Sequence, residues 1–148
     1  MSMHQKYINF YEGEYACLSN FSSHNVTYEV ITYATAEHAY QCQKFVSIKM
    51  QQKIAKATSA FLAREYGQEE RFRKMKFDKV AAMKEIMRSK LFQHNDVREI
   101  LKKTGSKIIR KNHPLDSFWG TGISGKGKNV MGLIWMELRA ELKTKKKA

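Results

Sequence analysis

Residues 78–91, DKVAAMKEIMRSKL, decide the fold class. Val80, Met83, Met87 and Leu91 recur at i, i+3, i+7 and i+11, which places them in one stripe along a helix. Asp78 stands where an N-cap belongs, its carboxylate able to accept from the first free amides. The spacing predicts a helix with this stripe facing a core. Downstream, Asn95 caps another helix with Val97, Ile100 and Leu101 inward, and Thr104–Gly105 stops it. Asn129 caps a last helix, whose Met131, Ile134, Trp135, Leu138 and Leu142 share a face.

Upstream, Thr35 caps a helix starting at Ala36 and running to about Lys49, with Glu37 in the favourable first turn. Residues 51–66 hold one or two short helices closed by Gly67 as a C′ glycine, and QEERFRKMK (68–76) is a charged connector. KYINFY (6–11) and YACLSNFS (15–22) read as extended segments, and HNVTYEVITYAT (24–35) as a strand or hairpin with Glu29 at its turn. KIIRKNHPLDSFWGTGISGKGK (107–128) reads as a long irregular segment. Helices dominate and the strands lie early. The fold class is mainly α, an α+β chain with a small N-terminal β element.

A chain of 148 residues with one proline and no Ser/Gly-rich linker suits a single domain over 1–148, with residues 143–148 a frayed basic tail. The first residues lack the apolar core of a secretory signal, and the apolar runs are too short to cross a bilayer. Cys17 and Cys42 form no CxxC and have no His partners at zinc spacing, so both read as small core residues of a reduced, intracellular protein, cytoplasmic or nuclear. No metal and no cofactor is expected. Net charge is +13, from 27 basic and 14 acidic residues. Between 102 and 128, Lys102, Lys103, Lys107, Arg110, Lys111, Lys126 and Lys128 face a single acid, Asp116. A field of that sign attracts nucleotides, phosphosugars or nucleic acid.

Three groups of residues can carry chemistry. In TAEHAYQCQKF (35–45), Glu37, Tyr40, Gln41 and Lys44 fall at i, i+3, i+4 and i+7, on one helix face, with Ala39, Cys42 and Phe45 on the buried side. The plain reading of such a face is an exposed polar surface. In the second group, Asp116 and Trp119 precede Gly120, Gly122, Gly125 and Gly127, with Lys126 and Lys128 between and after. Glycine amides and the following helix N-terminus can hold an anion, and Trp119 offers a face to a base; the spacing is not that of a Walker A loop. In the third, LSNFS (18–22), Ser19 and Asn20 can bond sugar hydroxyls and Phe21 can stack, unless the segment is only a turn.

Taken in order, CLSNF, YATAEHAYQCQKF, SKLFQHN and LDSFWGTGISGKGKNVMGLIWMELR resemble the NADAR (YbiA-like) family, over residues 7–142. The resemblance implies a small, mainly helical domain and an N-glycosidase that cleaves a ribose C1–N bond. Two substrate groups go with the family: ADP-ribose on guanine bases of nucleic acid, and phosphoribosylamino-pyrimidine intermediates of riboflavin synthesis. Glu37, Gln41 and Lys44 match the family's EHxxQxxKF, Asp116, Trp119 and Gly120 its DxxWG, and Gly127 and Asn129 its GxN segment.

Many relatives carry Trp where Phe77 stands, Glu where Lys111 stands, and Arg where Gln68 stands. Lys111 is expected to make the site rim more positive, favouring a larger polyanion. The catalytic set so implied is Glu37, Lys44 and Asp116. Ser19, Asn20, Phe21, Tyr40, Gln41, Trp119, Gly120, Gly122, Gly127 and Asn129 are the substrate-binding set. Glu37 or Asp116 would stabilise the cation developing at C1 or activate water. Lys44 would either hold a phosphate or the base, or attack C1 as an amine of lowered pKa. The alternative of another class is a module that binds ADP-ribose or nucleic acid without turnover.

Overall fold

The computed structural model describes residues 7–11, 13–71 and 73–147, the side chains as far as Thr144. In chain order come β1 (Tyr7–Asn9), a 3-10 helix (Gly13–Leu18), β2 (Val26–Tyr28), β3 (Ile31–Tyr33), α1 (Ala36–Gln43), α2 (Ile48–Ala55), α3 (Ala60–Tyr66), α4 (Lys79–Gln93), α5 (Asn95–Lys103), β4 (Ile108–Arg110) and α6 (Val130–Lys147). The fold is mainly helical with a small β element, as the periodicities predict. The residues fall into two compact units: one takes the chain through Ser19 and from Asn95 onward, the other Asn20–His94.

The second unit is built around α1 and α4. Met83, Ile86, Met87 and Leu91 of α4 are buried, while Val80, the first member of the expected stripe, is 37% exposed in the helix's opening turn. Asp78 caps α4 by accepting from Ala81 N at 3.0 Å. Thr35 caps α1 through His38 N. That helix ends at Gln43, six residues short of the expected Lys49. Phe45 leaves it to bridge Arg73, and the Ser47 hydroxyl accepts from Met50 N to start α2. A serine that offers its own cap splits the helical run in two. Cys42 is buried as expected, but Cys17, also expected to be a core residue, is only half-buried; neither is in a disulfide. Burial pushes the Cys42 thiol up to about 12.

In the first unit β1 and β4 pair in parallel, Tyr7 opposite Ile108 and Asn9 opposite Arg110. β4 lies in the segment read as irregular. Three residues whose partner sits about a hundred positions earlier leave no local signal, and only the buried Ile8 and Ile109 reveal the pairing. The YACLSNFS segment, expected to be extended, begins in the 3-10 helix and turns at Ser19, whose amide bonds Ala16 O. Met131, Ile134, Trp135 and Leu138 of α6 are buried as expected, and Trp135 Nε1 donates to Leu18 O at 3.0 Å. The tail expected to fray is helical through Lys147; Ala148 lies outside the described residues. Among the described residues no helix is long and apolar enough to cross a membrane.

β2 and β3 form a hairpin with Tyr28 opposite Ile31. Its two loop residues, Glu29 and Val30, have φ of 50° and 65°. Two left-handed residues make a type I′ turn, which favours Asn-Gly. Val30, β-branched and 98% exposed, takes that conformation with no packing to offset it. Val30→Gly is therefore expected to stabilise the protein by about 1 kcal/mol, read as a rise in the urea midpoint at unchanged slope.

Candidate active site

The face of α1 that carries Glu37, Tyr40 and Gln41 is not the exposed polar surface its spacing suggests. The three are 7%, 4% and 4% exposed, and every residue from Ala36 to Cys42 is buried. A carboxylate taken out of water must be hydrogen-bonded to be tolerated. Gln41, one turn on, donates Nε2 to Glu37 Oε2 at 2.7 Å, and the Glu37 amide donates to Asn20 O at 3.1 Å. Asn20 is itself 4% exposed, with Nδ2 on Met83 Sδ at 3.1 Å. Among the described residues, two buried acceptors, Asn20 Oδ1 and Gln41 Oε1, have no donor on them. Phe21, by contrast, is 39% exposed.

Gly67 explains how Gln41 is held. It was expected to end a helix in the left-handed region, but its φ is −68°, which any residue adopts. A Cβ there would collide with Gln41 Oε1 and Cδ, so the glycine makes room for the glutamine.

Lys44 caps α1 at the edge of this cluster, its Nζ 5.4 Å from the centre of the Tyr40 ring, which also packs against Phe77 at 6.1 Å. Burial and, after it, the Arg73 charge bring the Lys44 pKa down to about 8, with Glu37 opposing and Lys79 and Arg64 adding to the depression. Arg73 is set by the bridge to Phe45 and by donating to Gly67 O and Glu69 O. Its part in tuning Lys44 was not visible in a connector that reads as solvated charge. Nor was the role of Lys90, fully buried on α4 with Nζ 2.7 Å from Ser22 Oγ. A buried carboxylate and an amine that sheds its proton near neutrality are the equipment of general acid–base or nucleophilic chemistry.

The first unit holds the remaining sequence candidates. Asp116 accepts from Phe118 N and Trp119 N through Oδ1, and Oδ2 pairs with Lys111 Nζ at 2.8 Å. Burial raises its pKa, but the Lys111 ammonium and these two amides outweigh it and hold the carboxyl below its usual range. The same pair uses the Lys111 charge, so the more positive rim expected of this position is cancelled by Asp116.

The glycine loop also differs from expectation. The amides of Gly122, Gly125, Gly127, Lys128 and Asn129 bond carbonyls of residues 116–122, and Val130 N and Met131 N bond Phe118 O and Trp119 O. Loop and helix N-terminus thus satisfy one another, and the anion capacity of the segment rests on side chains. A Cβ on Gly127 would strike the carbonyls of Gly120 and Ser117, which fixes glycine there. Asn129 is no N-cap of the usual kind. At φ 51° it accepts from Lys111 N and donates to Ile109 O, tying the loop to β4. Ser19 is buried and Trp119 half-buried in this unit.

Fold and site together define a small, mainly helical domain with an acid and a tuned amine on one helix. Residues 8–143 match the NADAR domain, and the chain belongs to the NADAR domain family. It is 37% identical to an N-glycosidase of Nostoc punctiforme over 87% of this chain and 86% of that protein. It is 32% identical to the N-glycosidase YbiA of Escherichia coli over 97% and 93%. The NMR structure of that YbiA superposes with a TM-score of 0.86, at 31% identity, over 98% of this chain and 89% of the other. A riboflavin biosynthesis protein of Vibrio vulnificus is 34% identical over 91% of this chain, which spans 38% of that longer protein.

Competitive labelling with an amine-reactive reagent, read by mass spectrometry across pH, is expected to show Lys44 titrating near 8. Gly67→Ala is expected to cost about 1–3 kcal/mol in urea unfolding, because Gln41 must leave its place against the glycine.

Proposed function

We infer that this chain hydrolyses the ribose C1–N bond of ADP-ribose carried on guanine bases of nucleic acid. Its family and its relatives, named N-glycosidases and matched over most of their length, make it a hydrolase of N-glycosyl bonds. The observation that carries the mechanism is the buried Glu37 on the same helix as Lys44, an amine of pKa about 8.

In this reading the neutral Lys44 amine attacks C1. The C1–N bond breaks with its electron pair on the base nitrogen, which takes a proton. The C1–ring-oxygen bond then opens to leave a Schiff base on Lys44, and water hydrolyses it to ADP-ribose and the free Lys44 amine. The Glu37 carboxylate, oriented by Gln41, offsets the positive charge that develops at C1. Asn20 Oδ1 and Gln41 Oε1 are acceptors for substrate hydroxyls or N–H groups. Tyr40 supplies the aromatic wall. In the first unit we assign Asp116, Trp119, Gly120, Gly122, Gly127 and Asn129 to substrate binding through the loop they build. The net charge of +13 supports nucleic acid as the carrier of the ADP-ribose. The Vibrio relative's name supports a second reading, hydrolysis of a phosphoribosylamino-pyrimidine.

Guanine-ADP-ribosylated DNA and the phosphoribosylamino-pyrimidine, offered side by side, test both. ADP-ribose release is expected from the first; ribose 5-phosphate release from the second alone overturns the assignment. Glu37→Gln and Lys44→Ala should each lose about a hundredfold or more in rate. Because the nucleophile is the unprotonated amine, the wild-type rate should rise with pH and level off above about 8. A lysine that only holds an anion would act as ammonium, and substrate affinity would instead fall through the same pH. Borohydride should trap the substrate on Lys44 during turnover.

A further inference from the structure

The chemistry above uses none of the cations on α5 and α6. Within the first unit a cavity of about 230 Å³ is lined by Lys102, Gly105, Arg139, Leu142 and Lys143. Three of its five lining residues are cationic and none is acidic. Arg139 is half-buried. Its Nη1 donates to Thr104 Oγ1 and to Lys107 O, both at 2.9 Å, which fixes the guanidinium in the wall. A guanidinium has five N–H donors, and among the described residues those on Nε and Nη2 meet no protein acceptor. Lys143 is exposed. Lys102 touches Glu99 at 3.4 Å, their side chains 48% and 59% exposed, a surface pair that a phosphate can displace at little cost. Glu14 is engaged by Lys103 at 2.7 Å.

The carbonyl that Arg139 grips belongs to Lys107, the residue before β4. From there the strand rises about 3.3 Å per residue to Arg110. The Arg110 guanidinium lies 4.1 Å from the centre of the Tyr7 ring and is steadied by Asn9 Oδ1 at 3.0 Å. Tyr7 is 40% exposed, so an aromatic plate backed by a cation is open to solvent. A basic seat followed by a stacking plate is how proteins hold single strands without reading sequence. A bilayer surface would call for a broad apolar helix face instead, and the cavity offers a single leucine.

We propose that this face is a track for single-stranded nucleic acid, the Lys102–Arg139–Lys143 cavity seating a backbone phosphate and the Tyr7–Arg110 pair stacking a base. It rests on the reading that the substrate is nucleic acid and adds where the strand is held.

The test is fluorescence anisotropy of a labelled oligothymidylate with the full chain, at about 50 and about 200 mM salt. Lys102→Gln with Lys143→Gln should weaken binding about tenfold at the lower salt and reduce the log–log salt slope by roughly 1.4, about 0.7 per lost cation on a single strand. Tyr7→Ala should weaken binding about tenfold while leaving the slope unchanged. Both variants should cleave an ADP-ribosylated guanosine monomer at the wild-type rate, which reports that they are folded. Equal binding by the double variant and wild type overturns the track, as does a wild type that binds vesicles containing phosphatidylserine but not the oligonucleotide. Oligonucleotide binding without ADP-ribose release would leave the track standing and remove the substrate assignment instead.

Discussion

The hydrogen bond from Gln41 to the buried Glu37 carboxylate is the constraint on which the second unit depends. A helix buried on every side would ordinarily be apolar all round. α1 instead encloses Glu37, His38, Tyr40 and Gln41, and each polar group needs a fixed partner. His38 has Thr35 Oγ1 at 2.8 Å and Ala57 O at 2.9 Å on its two ring nitrogens. Gln41 serves Glu37, and Gly67 leaves room for Gln41. Sequence choices well apart along the chain thus follow from one decision to keep a carboxylate in the interior.

The same interior sets the behaviour of Lys44. Desolvation is the larger cause of its lowered pKa, and the Arg73 charge adds to it. Glu37 pulls the other way, so the acid and the amine on this helix temper each other. A lysine at the open end of a buried helix is near enough to the interior to lose hydration and near enough to the surface to exchange its proton with water. That position, with its charged neighbours, is what brings an amine of ordinary pKa 10.5 to about 8.

Much of the fold was legible because its helices carry local signals. Thr35 and Asp78 cap the helices they were read to cap, and the stripes of α4 and α6 point to the core apart from Val80 and the half-buried Leu142. What failed was non-local. β4 exists only through its pairing with β1, and the shortened α1 depends on the Phe45–Arg73 bridge. At the site, helical period showed that Glu37, Tyr40, Gln41 and Lys44 share a face but not whether water covers it. Burial is decided by what packs on a helix, and a polar face carries the same period inside a core as outside. The ordered company of motifs pointed to chemistry where the period could not.

The loop from Asp116 to Asn129 shows how a motif can mislead in the opposite sense. Four glycines, two lysines and a following helix look like an anion nest, yet the amides close on carbonyls of the same loop. Asp116 gathers Lys111, Phe118 and Trp119, and Asn129 joins the loop to β4. The glycines there serve chain-on-chain packing, so this segment's contribution to a ligand must come from its side chains and from the rigidity that the internal bonds confer. Lys111 has found the one carboxylate of the basic stretch and neutralised it. The positive field of this unit therefore comes from the other cations, among them Lys102, Lys107 and Arg110.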